Sequence, residues 1–324
     1  MNAARQALEA AATNGAARPV VSIIIPTWRR RKSLRRLLFT IARAESRFPR
    51  EVIVVDSESG DGTDVLVERF SRRVFPVRLV QTYNALAAKR NAGAAHASGD
   101  YLVFLDDDLR IADKDALDAV VSEAAGQEAP VCFRVSYPPD WVQRSNYYRF
   151  KQYAHDVTNQ GPREIPPFRF VAMAFCIRKD LYERCQGFSE QFRTYGGEDH
   201  AFEFALRRIG VVPVLSERAR VLHYEPSGDL GAYLHKKIVV MVRDAFPLFF
   251  ASYPEGRPRS AKVLESKPVA ALIRLIPKAV WAALVDAAGW AMERIPAWMP
   301  VRVLRLVGSA GALFAYCLAL KSRR

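Results

Sequence analysis

Three consecutive carboxylates, Asp106, Asp107 and Asp108, close the stretch FLDDD directly behind an apolar run. Like charges at that spacing repel and raise one another's pKa. A bound divalent cation removes the repulsion, because its own charge inverts the local electrostatics. A solvated turn tolerates it too, since Asp is a common turn residue. A second acidic site, Gly196-Gly197-Glu198-Asp199, follows about ninety residues later. Its glycines permit a tight backbone, and its acids fall in the first turn of an expected helix, where the dipole favours negative charge. Helix capping alone accounts for Asp199; a general base working beside a metal-holding site is the alternative. His223 ends an expected strand over 218–222, either as a structural histidine or as a further nitrogen ligand.

These residues need a scaffold, and the hydrophobic pattern supplies one. VVSIIIP (20–26), EVIVV (51–55), a short run over 77–81 and YLVFL (101–105) read as strands. Helices are expected between them, over 33–46, through Val65, Leu66 and Phe70 after the Asp61-Gly62-Thr63 turn, and over 84–97. Strands alternating with helices predict an α/β, mainly parallel, doubly wound sheet. Ligands bind outside the carboxyl ends of strands in such sheets. Pro26, Thr27, Asp56 and the three aspartates all fall at such ends and can share one crevice. No GxGxxG or Walker loop occurs, which disfavours a nicotinamide or ATP-hydrolysing domain. Beyond Ala129 further strands are expected over 130–136 and 170–177, separated by an aromatic, basic stretch around Tyr137, Trp141, Tyr147, Tyr148, Phe150 and Tyr153. That stretch either covers the sheet or faces a substrate.

With 324 residues, half of them hydrophobic, the chain can bury a sizeable core. Its net charge of +14 is uneven: residues 231–324 hold 15 Lys and Arg against 5 Asp and Glu, so +10 belongs to this segment. Four cysteines without metal-ligand spacing indicate reduced thiols in a cytosolic setting. The N-terminal stretch 1–18 is read as a flexible leader without a signal-type apolar run.

Taken in order, VSIIIPTWRR, EVIVVDSESGDGT, AAKRNAGAAHASGDYLVFLDDD and GFSEQFRTYGGEDHAFEFALRRIG resemble glycosyltransferase family 2, the DXD-containing nucleotide-sugar transferases of the GT-A fold. The resemblance covers roughly residues 20–225. It implies a Rossmann-like GT-A sheet that moves a sugar from a nucleotide-diphosphate donor to a hydroxyl acceptor. Pro26 and Thr27 would shape the nucleotide pocket, Asp56 would bond the base, and Lys89 or Arg90 would meet the base or diphosphate. Asp106 and Asp108 would be the outer acids of DXD, with Asp106 nearer the ribose and Asp108 on the metal, Mn²⁺ or Mg²⁺. Asp107 shapes the turn and is counted with the donor-binding set. Asp199 matches the base of inverting members, Glu198 would assist the acceptor, and His223 lies where some members add a metal ligand. One departure is Asp56-Ser57-Glu58-Ser59, where many members read Asp-Asp-Gly-Ser.

The expected organisation is thus the leader, a catalytic domain over 19–229 and a basic, apolar, helical appendage over 230–324. The appendage's apolar run Leu306–Leu320 is 15 residues, short of the ~20 that span a bilayer. Lys, Arg and Trp on amphipathic helices suit attachment to an anionic membrane, here the cytoplasmic face of the inner membrane, with a saccharide or lipid-linked acceptor. Helices that pack on the catalytic domain or form a dimer interface are the alternative, and no nucleic-acid partner is expected. Retaining transfer shares the fold and DXD. A nucleotidyltransferase would carry a Gly-rich basic loop where Pro26-Thr27-Trp28 stands, and a non-catalytic binding protein would not need Asp108 and Asp199 intact.

Overall fold

The structure is a computed structural model that describes residues 21–161, 163–193, 196–226, 230–235, 240–257, 259–296 and 298–322; the 1–18 leader lies outside them. These residues form two compact units. One is built from residues up to 136 with 157–190 and 198–225; the other comprises 137–156, 191–197 and the chain from 226 onward.

The first unit is organised by an eight-stranded sheet of order β3-β2-β1-β4-β7-β6-β8-β5. Its strands are β1 (Val21–Pro26), β2 (Arg50–Asp56), β3 (Val77–Gln81), β4 (Tyr101–Leu105), β5 (Leu109–Ile111), β6 (Val131–Ser136), β7 (Ala174–Arg178) and β8 (Val214–His223). The first four are parallel neighbours, as the alternation predicts, joined by α1 (Arg31–Arg43), α2 (Thr63–Arg73) and α3 (Leu86–His96). Beyond β4 the sheet is mixed: β7 runs antiparallel to β4 and β6, β8 is parallel to β6, and β5 is antiparallel to β8.

β1 shows why its sequence is apolar throughout. Side chains alternate across a strand, so Ile23 and Ile25 enter one core layer with Leu34, Leu37 and Val120. Ile24 enters the opposite layer with Ala87, Phe104 and Phe202. A strand covered on both faces cannot alternate apolar with polar. α3 sits unusually close to it: a Cβ on Gly93 would lie 2.3 Å from Ile24 Cγ2. The Ala- and Gly-rich LAAKRNAGAAH sequence thereby lets this helix bring Lys89 and Arg90 down onto the strand ends.

Several boundaries differ from those the sequence pattern predicts. The strand expected over 170–177 begins only at Ala174, and that expected over 218–222 extends over Val214–His223. β5 and α4 (Ala116–Ala125) have no counterpart among the expected elements. β5 has three residues, too few for a periodic signal, and exists because Leu109–Ile111 pairs with the end of β8.

The remaining α-helices among the described residues are α5 (Pro139–Arg144), α6 (Asn146–Asn159), α7 (Lys179–Arg184), α8 (Glu198–Arg208), α9 (Leu230–Leu234), α10 (Phe246–Ser252), α11 (Arg259–Leu264), α12 (Lys267–Leu275), α13 (Lys278–Arg294) and α14 (Val301–Ser322). The second unit has its own core, in which Tyr137, Tyr147 and Tyr148 pack with Leu234, Trp281, Val285, Met292, Leu304 and Leu318. The aromatic stretch after β6 therefore contributes buried tyrosines to the C-terminal helices' core. Asn146 Nδ2 fastens it there, donating to the carbonyls of Met292, Glu293 and Ile295 at 2.9, 3.1 and 2.7 Å. The apolar run Leu306–Leu320 lies within the 22-residue α14, which by length and composition can cross a membrane.

Candidate active site

The three aspartates are the turn between β4 and β5. Asp106 N donates to Met173 O at 2.8 Å, Leu109 N to Asp106 O at 3.2 Å, and Tyr224 N to Asp108 O at 2.7 Å. The last bond joins the turn to the end of β8, which is why His223, distant in sequence, stands beside Asp108. His223 Nε2 lies 3.4 Å from Asp108 Oδ1, with both residues buried. Thr27 Oγ1, at the end of β1, donates to Asp107 Oδ2 at 2.6 Å. Arg30 Nη1 reaches Asp107 Oδ1 at 3.4 Å and Asp108 Oδ2 at 2.5 Å. Arg30 lies in the WRR segment after β1, where nothing in the sequence pattern singles it out from its neighbours.

Crowding separates the three carboxyls. Burial pushes Asp106 up to about 7; Arg90 opposes this, and the neighbouring aspartates add to it. Burial likewise raises Asp107 to about 6 against the donors Thr27 and Arg30. Asp108 goes the other way: burial would raise it, but His223 and Arg30 hold it at about 2. Asp108 therefore holds its charge most firmly of the three, and it faces an imidazole. An oxygen and a nitrogen donor side by side, next to carboxyls whose repulsion is unrelieved, fit a divalent cation. Among the described residues no group of three or more His, Cys, Asp and Glu side chains is arranged to hold a metal. Asp108 and His223 are the two such side chains in contact at the turn.

Arg90 connects this turn with the second acidic motif. It is 1% exposed, rests over the Phe188 ring at 5.0 Å, and divides its guanidinium among three acids. Nη2 lies 3.2 Å from Asp106 Oδ1, while Nη1 lies 3.3 Å from Asp199 Oδ1 and 3.7 Å from Glu198 Oε1. Burial works against its charge, but Asp106, Asp199 and Glu198 outweigh that and raise its pKa. Glu198 is itself pushed well above the carboxylate range by burial and by the adjacent Asp199. Arg90, one of the two residues expected at the base or diphosphate, is thus a buried cation between the two acidic motifs. No periodicity in the sequence signals that role.

A third group surrounds Asp56 at the end of β2. Asp56 Oδ2 accepts from Ser59 N and Oγ at 3.0 and 2.9 Å. Oδ1 is buried and, among the described residues, receives no donor. An orphaned carboxylate oxygen is costly unless a ligand supplies the missing hydrogen bond. Glu58 in this loop has φ +46°, the left-handed region that favours glycine. The Asp-Ser-Glu-Ser departure therefore keeps the loop conformation that a glycine at the third position would adopt freely. Lys89 Nζ donates to Asn84 Oδ1 at 2.8 Å, and burial lowers its pKa to about 8 against the pull of Asp56 and Asp107.

A model of the family described as glycosyl transferase family 2 matches residues 22–189, just over half of the chain. Among curated proteins, the chain is 27% identical over 224 residues to the O-antigen biosynthesis protein RfbC of Myxococcus xanthus, covering 64% of this chain and 17% of that protein. It is 26% identical over 242 residues to chondroitin synthase of Escherichia coli, covering 64% of this chain and 35% of that one. The chain thus spans well under two thirds of these relatives' length. Among solved structures it is similar in fold to a mannosyltransferase of Pyrobaculum calidifontis in complex with GDP-Man and Mn²⁺, with TM-score 0.59, 22% identity and coverage of 94% and 86% of the two chains. GalNAc-T7 with UDP, GalNAc and Mn²⁺ gives TM-score 0.52 at 16% identity, covering 74% of this chain and 51% of that one. With its GT-A sheet and a matched stretch running from β1 to Ser189, the chain belongs to glycosyl transferase family 2.

Proposed function

We propose that this protein transfers a sugar from a nucleotide-diphosphate donor to a hydroxyl of a saccharide or lipid-linked acceptor, with inversion and with Mn²⁺ or Mg²⁺, in envelope glycan or glycolipid synthesis. The observation that carries this reading is Arg90, whose contacts to Asp106, Glu198 and Asp199 unite a donor-side and an acceptor-side acid cluster. Asp56 Oδ1 would accept from the base, with Pro26 and Thr27 shaping the pocket and Lys89 supplying positive charge beside it. Asp106 would meet the ribose. Asp108 and His223 would hold the metal, which when bound supplies the positive charge that a departing diphosphate requires. Asp199 would take the proton of the acceptor hydroxyl as that oxygen attacks the anomeric carbon from the face opposite the diphosphate. Glu198, kept protonated near neutrality by burial, would donate a hydrogen bond to the acceptor. The domain assignment proposed with this function is catalysis within 19–229 and membrane association through 230–324, at the cytoplasmic face.

The test pairs two variants in binding and turnover. Asp108→Ala should abolish the Mn²⁺-dependent part of nucleoside-diphosphate binding, read as lost thermal stabilisation. Asp199→Asn should keep that binding and lose transfer by roughly 10²- to 10⁴-fold, the usual scale of a general base. Metal-independent binding, or turnover retained without Asp199, overturns the assignment.

A further inference from the structure

Two helices of the C-terminal unit carry apolar stripes that stand exposed among the described residues. On α13 the exposed positions include Val280, Ala283, Ala287 and Trp290; on α14 they include Val303, Leu306, Ala310 and Leu313. Both sets follow the i, i+3, i+7, i+10 spacing of one helical face. On each helix a different face is already used: Trp281, Val285, Ala288 and Met292 are buried on α13, and Leu304, Ala315 and Leu318 on α14. The largest stripe residues are well exposed, Leu306 at 72% and Trp290 at 59%, and Leu275 before α13 and Trp298 between the two helices are 78% and 79% exposed.

The charges around these stripes decide what covers them. Arg294 stacks on Trp290 with its guanidinium 4.1 Å from the ring centroid, and Lys278 and Arg302 are exposed at helix ends. The acids of α13 are engaged within the unit: Asp286 Oδ1 meets His235 Nε2 at 3.0 Å, and Glu293 Oε1 accepts Leu230 N at 3.0 Å. With +10 carried by 231–324, a second copy would bring like charge against like. An anionic lipid surface offers the opposite charge and an apolar interior together.

We propose that the stripes of α13 and α14, flanked by Trp298 and the exposed arginines and lysine, seat in a bilayer containing anionic phospholipid. This deepens the membrane association proposed above by naming the surface that would meet the lipid. It does not depend on the transfer chemistry, which nucleotide binding tests separately.

The purified full-length chain should co-float with phosphatidylcholine vesicles containing phosphatidylglycerol, and partition at least about tenfold less onto phosphatidylcholine alone or at high salt. Tryptophan emission should shift to the blue on binding, and lose that shift in Trp290→Ala/Trp298→Ala. The neutral pair Leu306→Gln/Leu313→Gln leaves net charge unchanged and should cut partitioning by about tenfold. Its far-UV circular dichroism and thermal unfolding should match the parent's, which shows that the chain is folded. Partitioning unchanged in this pair overturns the assigned surface. A chain that ignores anionic vesicles overturns the proposal, and a stable dimer in sedimentation would then give the stripes to a second copy.

Discussion

In the sheet-bearing unit, Lys89, Arg90, Asp107, Asp108, Glu198 and His223 are buried, whereas in the C-terminal unit Trp290, Trp298, Leu275 and Leu306 are exposed. Each unit inverts the ordinary rule for one class of residue. Charge can be buried at the strand ends because it is partly offset there: Arg90 faces three acids and Arg30 faces two. Apolar area stays exposed on α13 and α14 because each helix already commits one face to the core of tyrosines, Trp281 and Leu304. The first inversion marks a place for a charged ligand, and the second a place for an apolar surface.

The comparison can be broken most forcefully at Arg90. Arg90→Met leaves three acids without their shared cation, and removal of one partner from a buried charge cluster costs about 3–5 kcal/mol. A fall in Tm on the order of 10 °C is expected in calorimetry. The deficit should shrink as pH falls, because loss of the cation raises the carboxyl pKa values and protonation then relieves the repulsion. A variant as stable as the parent would show that the cluster is not held by charge cancellation.

Lys89 sharpens the same point by titration. Its pKa is lowered to about 8, so the folded protein loses this positive charge as pH rises through 8, before an exposed lysine would. Affinity for a nucleoside diphosphate should therefore weaken by up to roughly tenfold per pH unit above 8, the limit for binding to the protonated form alone. Lys89→Met should flatten that dependence. Calorimetric titration between neutral and alkaline pH measures both.

Smaller effects are expected at two exposed positions. Glu58→Gly removes the penalty of a side chain in the left-handed region and should stabilise by about 1 kcal/mol, visible in chemical denaturation. Leu306→Gln should change stability by less than about 0.5 kcal/mol, because its side chain contributes little to the core. A large loss there would mean that the α14 stripe belongs to the folded unit after all.

Much of the first unit was legible because its signals are local. The parallel order of β1 to β4 follows from β-branched runs alternating with helical periodicity, and FLDDD, GGED and the end of β2 were visible as strand-end or helix-start acids. The C-terminal helices were legible as amphipathic, although an apolar run of 15 residues understated the 22-residue helix that contains it. Local patterns could not foretell β5, since three residues have no period and need the end of β8 as a partner. Nor could they show that the aromatic stretch after β6 would supply Tyr137, Tyr147 and Tyr148 to a core shared with Trp281.

By itself, then, the sequence determined which residues could carry charge to the ends of strands and which C-terminal helices would be amphipathic. These properties depend on residue type and near-neighbour spacing, through side-chain alternation in strands and periodicity in helices. Only the tertiary structure decided the pairings among those charges: Asp108 with His223, Thr27 with Asp107, and Arg90 with Asp106, Glu198 and Asp199. Most of these contacts join residues about eighty to more than a hundred positions apart. They exist because the sheet crossovers and the close seat of α3 on β1 bring separate strand ends together, a consequence of packing that no local pattern encodes.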